Sequence, residues 1–104
     1  MLEFQYFQAC PNAKETLANL RELINDALIK NELMITEIKD ISEAEELKFQ
    51  GSPTILCEGK DIYTEAIPSS YSYTCRVYMI DDIQTGVLSR EFILSMVKKI
   101  TAQR

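Results

Sequence analysis

Phe4-Gln5-Tyr6-Phe7-Gln8-Ala9-Cys10-Pro11-Asn12 decides how this chain is read. Leu2, Phe4 and Tyr6 alternate with Glu3, Gln5 and Phe7, and the aromatic content favours a strand from Leu2 to Phe7. The strand stops at a cysteine, and an amphipathic helix begins at once. Pro11 lacks a backbone N–H and suits the first turn of a helix. Asn12 with Glu15 three residues on also fits a capping box, so the helix is expected to start at either Cys10 or Asn12. A thiol at that junction faces the positive end of the helix dipole, and is expected to ionise more readily than a free cysteine.

Working outward, Leu17, Leu20, Leu23, Ile24, Ala27 and Leu28 follow helical spacing, with Lys14, Asn19, Arg21, Glu22 and Asp26 on the other face. Met34, Thr36 and Ile38 alternate with Ile35, Glu37 and Lys39 as a second strand. A two-turn helix starting at Asp40 or Ser42 follows, with Ile41, Ala44 and Leu47 expected to face the core and Gly51 to end it. Thr54-Ile55-Leu56-Cys57, the turn Glu58-Gly59-Lys60 and Asp61-Ile62-Tyr63 read as a hairpin over 54–64. Residues 65–88 carry turn signals, and within them Thr74–Ile80 is either extended or a short helix. Ser89 then caps a helix with Phe92, Ile93, Met96, Val97 and Ile100 on one face, and with Lys98, Lys99 and Arg104 near its end. The order β-α-β-α-β-β-α predicts an α/β domain spanning 1–104. A parallel β-α-β unit is extended by an antiparallel hairpin, so the sheet is mixed and four-stranded, with about three helices on its faces.

Composition narrows the function classes. A net charge of −5 without a basic cluster argues against nucleic acid or an anionic membrane as partner, and no apolar run reaches the length of a membrane span. Glu3 stands where a signal peptide would carry positive charge, so a cytoplasmic location is expected. The chain has no histidine, which removes Ser-His-Asp and Cys-His nucleophile systems and histidine-ligated metal sites. Cys10, Cys57 and Cys75 are too few and too widely spaced for a disulfide framework or a zinc pattern.

The element order, Cys10-Pro11-Asn12 at the first strand–helix junction, Gly51-Ser52-Pro53-Thr54-Ile55 before the hairpin and Glu58-Gly59-Lys60 in its turn together resemble the thioredoxin-like superfamily. The later Cys75-Arg76-Val77-Tyr78 narrows the resemblance to small bacterial and archaeal thioredoxin-like proteins with a Cys-Pro-Asn start. It implies a thioredoxin-like fold, a reactive Cys10, and a cis Ser52–Pro53 bond whose Ser52 N–H and carbonyl are open to an extended substrate peptide. Pro11, Asn12, Ser52 and Pro53 would then line the substrate site. It implies no cofactor, and a protein or small-molecule thiol or disulfide as partner. The chain departs from the pattern at Ala13, which stands where dithiol thioredoxins carry the resolving cysteine. Resolution then falls to an external thiol or to Cys75.

Each residue also has a plainer reading. Free cysteines are often buried hydrophobes, and Cys57, on a strand face shared with Ile55, reads as packing. Arg76 is a candidate to stabilise a Cys75 thiolate, although sequence neighbours in a strand point apart. Tyr71, Tyr73 and Tyr78 either line a groove or cover a loop. The leading expectation is a thiol-disulfide oxidoreductase with Cys10 as nucleophile. The alternatives are a non-catalytic binding module and soft-metal capture by Cys10 and Cys75.

Overall fold

The chain, in a computed structural model describing residues 1–103, runs β1 (Leu2–Tyr6), α1 (Asn12–Asn25), β2 (Leu33–Glu37), α2 (Ile41–Leu47), β3 (Thr54–Cys57), β4 (Lys60–Asp61), β5 (Tyr78–Ile80), β6 (Ile83–Thr85) and α3 (Arg90–Ala102). Arg104, expected at the end of the last helix, lies outside the described residues. β2, β1, β3 and β4 form one sheet in that order, with β1–β2 parallel and β1–β3 and β3–β4 antiparallel. This is the α/β fold class and mixed four-stranded sheet expected from the sequence. β5 and β6 form a separate two-stranded sheet within residues 65–88, and β5 makes the end of Thr74–Ile80 extended.

The register explains the core. Phe4 pairs with Ile55 and Leu2 with Cys57, so all four side chains share one face and are buried. Leu20 and Leu23 of α1 and Ile93, Val97 and Ile100 of α3 complete that cluster, as their helical spacing predicts. Cys57 is fully buried within it, consistent with a packing residue. Ser89 caps α3, its Oγ accepting from the Phe92 N–H at 3.2 Å.

Local expectations fail at several places. α1 stops at Asn25, and Ala27 adopts a left-handed φ of 60°, which turns Leu28 out to solvent and Ile29 into the core. In α2 only Ala44 is buried, while Ile41 and Leu47 are 61% and 44% exposed. A helix of 7 residues is too short to bring three positions against one surface. Its cap is Asp40, which accepts from the Glu43 N–H at 2.9 Å, and its last turn closes on left-handed Lys48. Gly51, expected to end the helix, instead serves the loop before β3.

Candidate active site

β1 delivers the chain to a turn in which the Cys10 N–H bonds the Phe7 carbonyl at 3.2 Å. α1 then begins at Asn12, with Pro11 already at helical φ −70°, ψ −20° and no side chain capping the helix. The Asn12–Glu15 capping box does not form, because Asn12 is itself the first helical residue. The Asn12 side chain lies against Gly86 beyond β6, so closely that a methyl group on Gly86 would come within 2.1 Å of Nδ2. Pro11 is exposed. Pro11 therefore opens the helix and Asn12 packs its first turn against Gly86.

Ser52–Pro53 is a cis peptide bond, as expected. The ledge that it was expected to present is already occupied. Ser52 donates its N–H to the Thr74 carbonyl at 2.9 Å and accepts the Arg76 N–H on its own carbonyl at 2.8 Å. Cys75 thereby pairs with Ser52 as a parallel bridge. The same Ser52 carbonyl accepts from the Cys10 thiol at 3.3 Å, and the Ser52 hydroxyl accepts from the Phe7 N–H at 3.3 Å. Ser52 is fully buried, and its backbone N–H and C=O, like its hydroxyl, are all bonded within the chain. Cys10, Ser52, Pro53 and Cys75 thus converge, with exposed Pro11 directly after Cys10 and Asn12 turned against Gly86.

Both thiols are free, Cys10 buried at 5% exposure and Cys75 exposed. They are close enough to interact. Desolvation, a hydrogen bond with the Cys10 side chain and the charge Cys10 can carry all push the Cys75 thiol up. The hydrogen bond from Cys10 runs to a carbonyl rather than to the helix N–H groups, a contact made by a thiol and not by a thiolate.

The remainder of the Cys-Arg-X-Tyr motif fastens the Cys75 strand. Arg76 forms a two-pronged ion pair with Asp61, Nη1–Oδ1 at 3.1 Å and Nη2–Oδ2 at 2.5 Å, and Nη1 also reaches Thr54 Oγ1 at 3.2 Å. Its guanidinium lies over the rings of Tyr78 and Tyr63, 4.6 and 5.5 Å from their centroids. Burial opposes the Arg76 charge, but the bonds and charge of Asp61 outweigh it and hold the guanidinium firmly protonated. Tyr78 is buried and donates its hydroxyl to the Pro53 carbonyl; burial raises its pKa. Arg76 therefore turns away from Cys75 and stabilises its position rather than its thiolate. Tyr73 packs on Phe7 and bonds the Ile38 carbonyl at 3.2 Å, and Tyr71 is exposed, so the tyrosines line no groove over the thiols.

Sequence reasoning missed Asp61. Its signal was a carboxylate opposite Leu56 on a hairpin strand, an unusual place for a charge without a partner. A cavity of about 340 Å³ also opens on Cys10, lined by Phe4, Tyr6, Gln8, Ala13, Lys14 and Leu17. Among the described residues no cluster of three or more His, Cys, Asp or Glu could hold a metal ion, and no helix is long and apolar enough to cross a membrane. No protein-family model, curated protein or solved structure matches the chain.

Proposed function

We propose that this chain is a cytoplasmic thiol-disulfide oxidoreductase of the thioredoxin-like kind, with Cys10 as nucleophile and Cys75 as resolving thiol. The observation that carries this reading is the pairing of Ser52 with Cys75, which brings the second thiol to the first although Ala13 supplies none. The Cys10 thiolate attacks one sulfur of a disulfide, forming a mixed disulfide and expelling one thiolate, which takes up a proton. Cys75 then gives up its proton and attacks the Cys10 sulfur, releasing the second thiol and leaving a Cys10–Cys75 disulfide. The substrate gains two electrons and the chain loses two; an external dithiol restores it.

Intact-mass analysis after exposure to glutathione disulfide tests the assignment. Wild type is expected to lose two hydrogens without a lasting adduct. Cys75→Ser is expected to keep glutathione on Cys10, and Cys10→Ser to form neither product. Equal turnover by wild type and Cys10→Ser would instead mark a binding module without chemistry. The convergent thiols also support a second reading, capture of a soft metal ion between Cys10 and Cys75. Its mark is one ion per thiol pair, lost in Cys75→Ser.

A further inference from the structure

A polypeptide disulfide would reach Cys10 along the Ser52–Pro53 ledge, by pairing its backbone with Ser52. Both Ser52 groups are bonded to Thr74 and Arg76, and that strand is pinned by the Asp61 ion pair and the Tyr78–Pro53 bond. Another approach is open. The 340 Å³ cavity reaches Cys10 between β1 and α1, and neither Ser52 nor Cys75 is among its lining residues. Its size falls within the range of small-molecule sites, roughly 300–1,000 Å³. Ala13, standing where a second motif thiol would be, is part of its wall, so the missing cysteine coincides with space. Phe4, Tyr6 and Leu17 make the cavity mainly apolar. Lys14 is its cation: it is exposed, makes no ion pair among the described residues, and lies in the uncapped first turn of α1, where the helix dipole adds to its field.

We infer that Cys10 takes a small disulfide with an apolar body and an anionic group through this cavity, in preference to a polypeptide disulfide. The inference rests on Cys10 as the nucleophile. It also gives Ala13 and Cys75 complementary places. The substrate sulfur meets Cys10 from the cavity, and Cys75 meets it from the ledge. A resolving thiol must displace the substrate sulfur from the far side of the Cys10 sulfur, so separate approaches suit the second step.

The test compares 3,3′-dithiodipropionate, cystamine and insulin as oxidants of the reduced protein, with the product located by peptide mass spectrometry. Each rate is divided by that of 2-mercaptoethanol, a thiol with no further charged group, with the same oxidant, which cancels the reactivity of the leaving thiol without adding a charge preference of its own. The protein carries a net charge of −5, so its overall field favours the dicationic cystamine. A normalised preference for the dianion therefore reports the cavity. That preference is expected in wild type and should fall about three- to fivefold in Lys14→Gln, the upper part of what one exposed charge contact contributes. Insulin should react far more slowly than either small disulfide. Preference for cystamine, indifference to Lys14→Gln, or insulin reduction at the small-disulfide rate would each overturn the inference while leaving Cys10 the nucleophile. A Cys10 inert to all three oxidants, with only Cys75 modified, would overturn both readings.

Discussion

The two sides of the thiol site are held by different physics. Cys10 sits at the end of β1 and the start of α1, elements fixed by buried Leu2, Phe4, Leu20 and Leu23. Cys75 sits in a segment outside any strand or helix except its single bridge to Ser52. That segment adds polar bonds to the apolar burial of Tyr73 and Tyr78 on either side of it: the Thr74 and Arg76 backbone to Ser52, Arg76 to Asp61, and Tyr78 to Pro53. Volume-conserving swaps of buried apolar residues usually cost less than about 1.5 kcal/mol. A polar clamp fails when one partner is removed, because the other is left buried and unpaired. The Cys75 side is therefore separable by mutation from the Cys10 side.

The sharpest way to break this contrast is Asp61→Ala. The Asp61 and Arg76 side chains are only 1% and 10% exposed, so the change strands a buried guanidinium. Urea unfolding should show a loss of about 3–5 kcal/mol. The double variant Asp61→Leu/Arg76→Met should recover most of it if the pair contributes position rather than net stability. A single variant as stable as wild type would show that the clamp is idle.

Gly51 gives a smaller and more local effect. It has φ +106°, and a methyl group there would stand 3.1 Å from Arg76 Cβ and 3.2 Å from the Thr74 carbonyl oxygen. Gly59, at φ +79°, has open space around its would-be methyl group. Gly51→Ala is therefore expected to cost about 1–3 kcal/mol and to push the Cys75 strand off Ser52. Gly59→Ala should cost only its backbone strain and leave the thiols as they are. Faster alkylation of Cys10 in Gly51→Ala but not in Gly59→Ala would mark the strand as the cover; equal rates would contradict it.

The smallest effect concerns the proton on Cys75. Its thiol is pushed up by desolvation, by its hydrogen bond with Cys10 and by the Cys10 charge. Cys10→Ala removes the last two causes, so the pH midpoint for Cys75 alkylation should move down. Because the wild-type shift is upward, its contribution to stability is present below the unfolded thiol value and is lost as pH rises through the folded one. An unchanged midpoint would separate the two thiols in solution.

The same contrast governs what could be read from the sequence. α1, α3 and the hairpin were legible, since apolar periodicity and turn residues are local signals, whereas the cis bond was expected only from the resemblance that Gly51-Ser52-Pro53-Thr54-Ile55 helps to carry. Ile41 and Leu47 misled because periodicity names a face without telling whether anything covers it. The fastening of Cys75 was not legible. Arg76 meets Asp61 across 15 residues and Tyr78 meets Pro53 across 25, and no periodic pattern encodes such pairs. Arg76 beside a cysteine suggested thiolate stabilisation, whereas its geometry is that of a strut.

Ser52 gathers contacts from Phe7, Cys10, Thr74 and Arg76 onto one buried residue. A knot of this kind makes uncovering the site an all-or-none event. Lifting the Cys75 strand strips Ser52 of two backbone bonds, and shifting Ser52 in turn takes away the acceptor of the Cys10 thiol. Lifting that strand therefore costs several bonds at once, and fraying of a single contact leaves Cys10 covered on its Ser52 side.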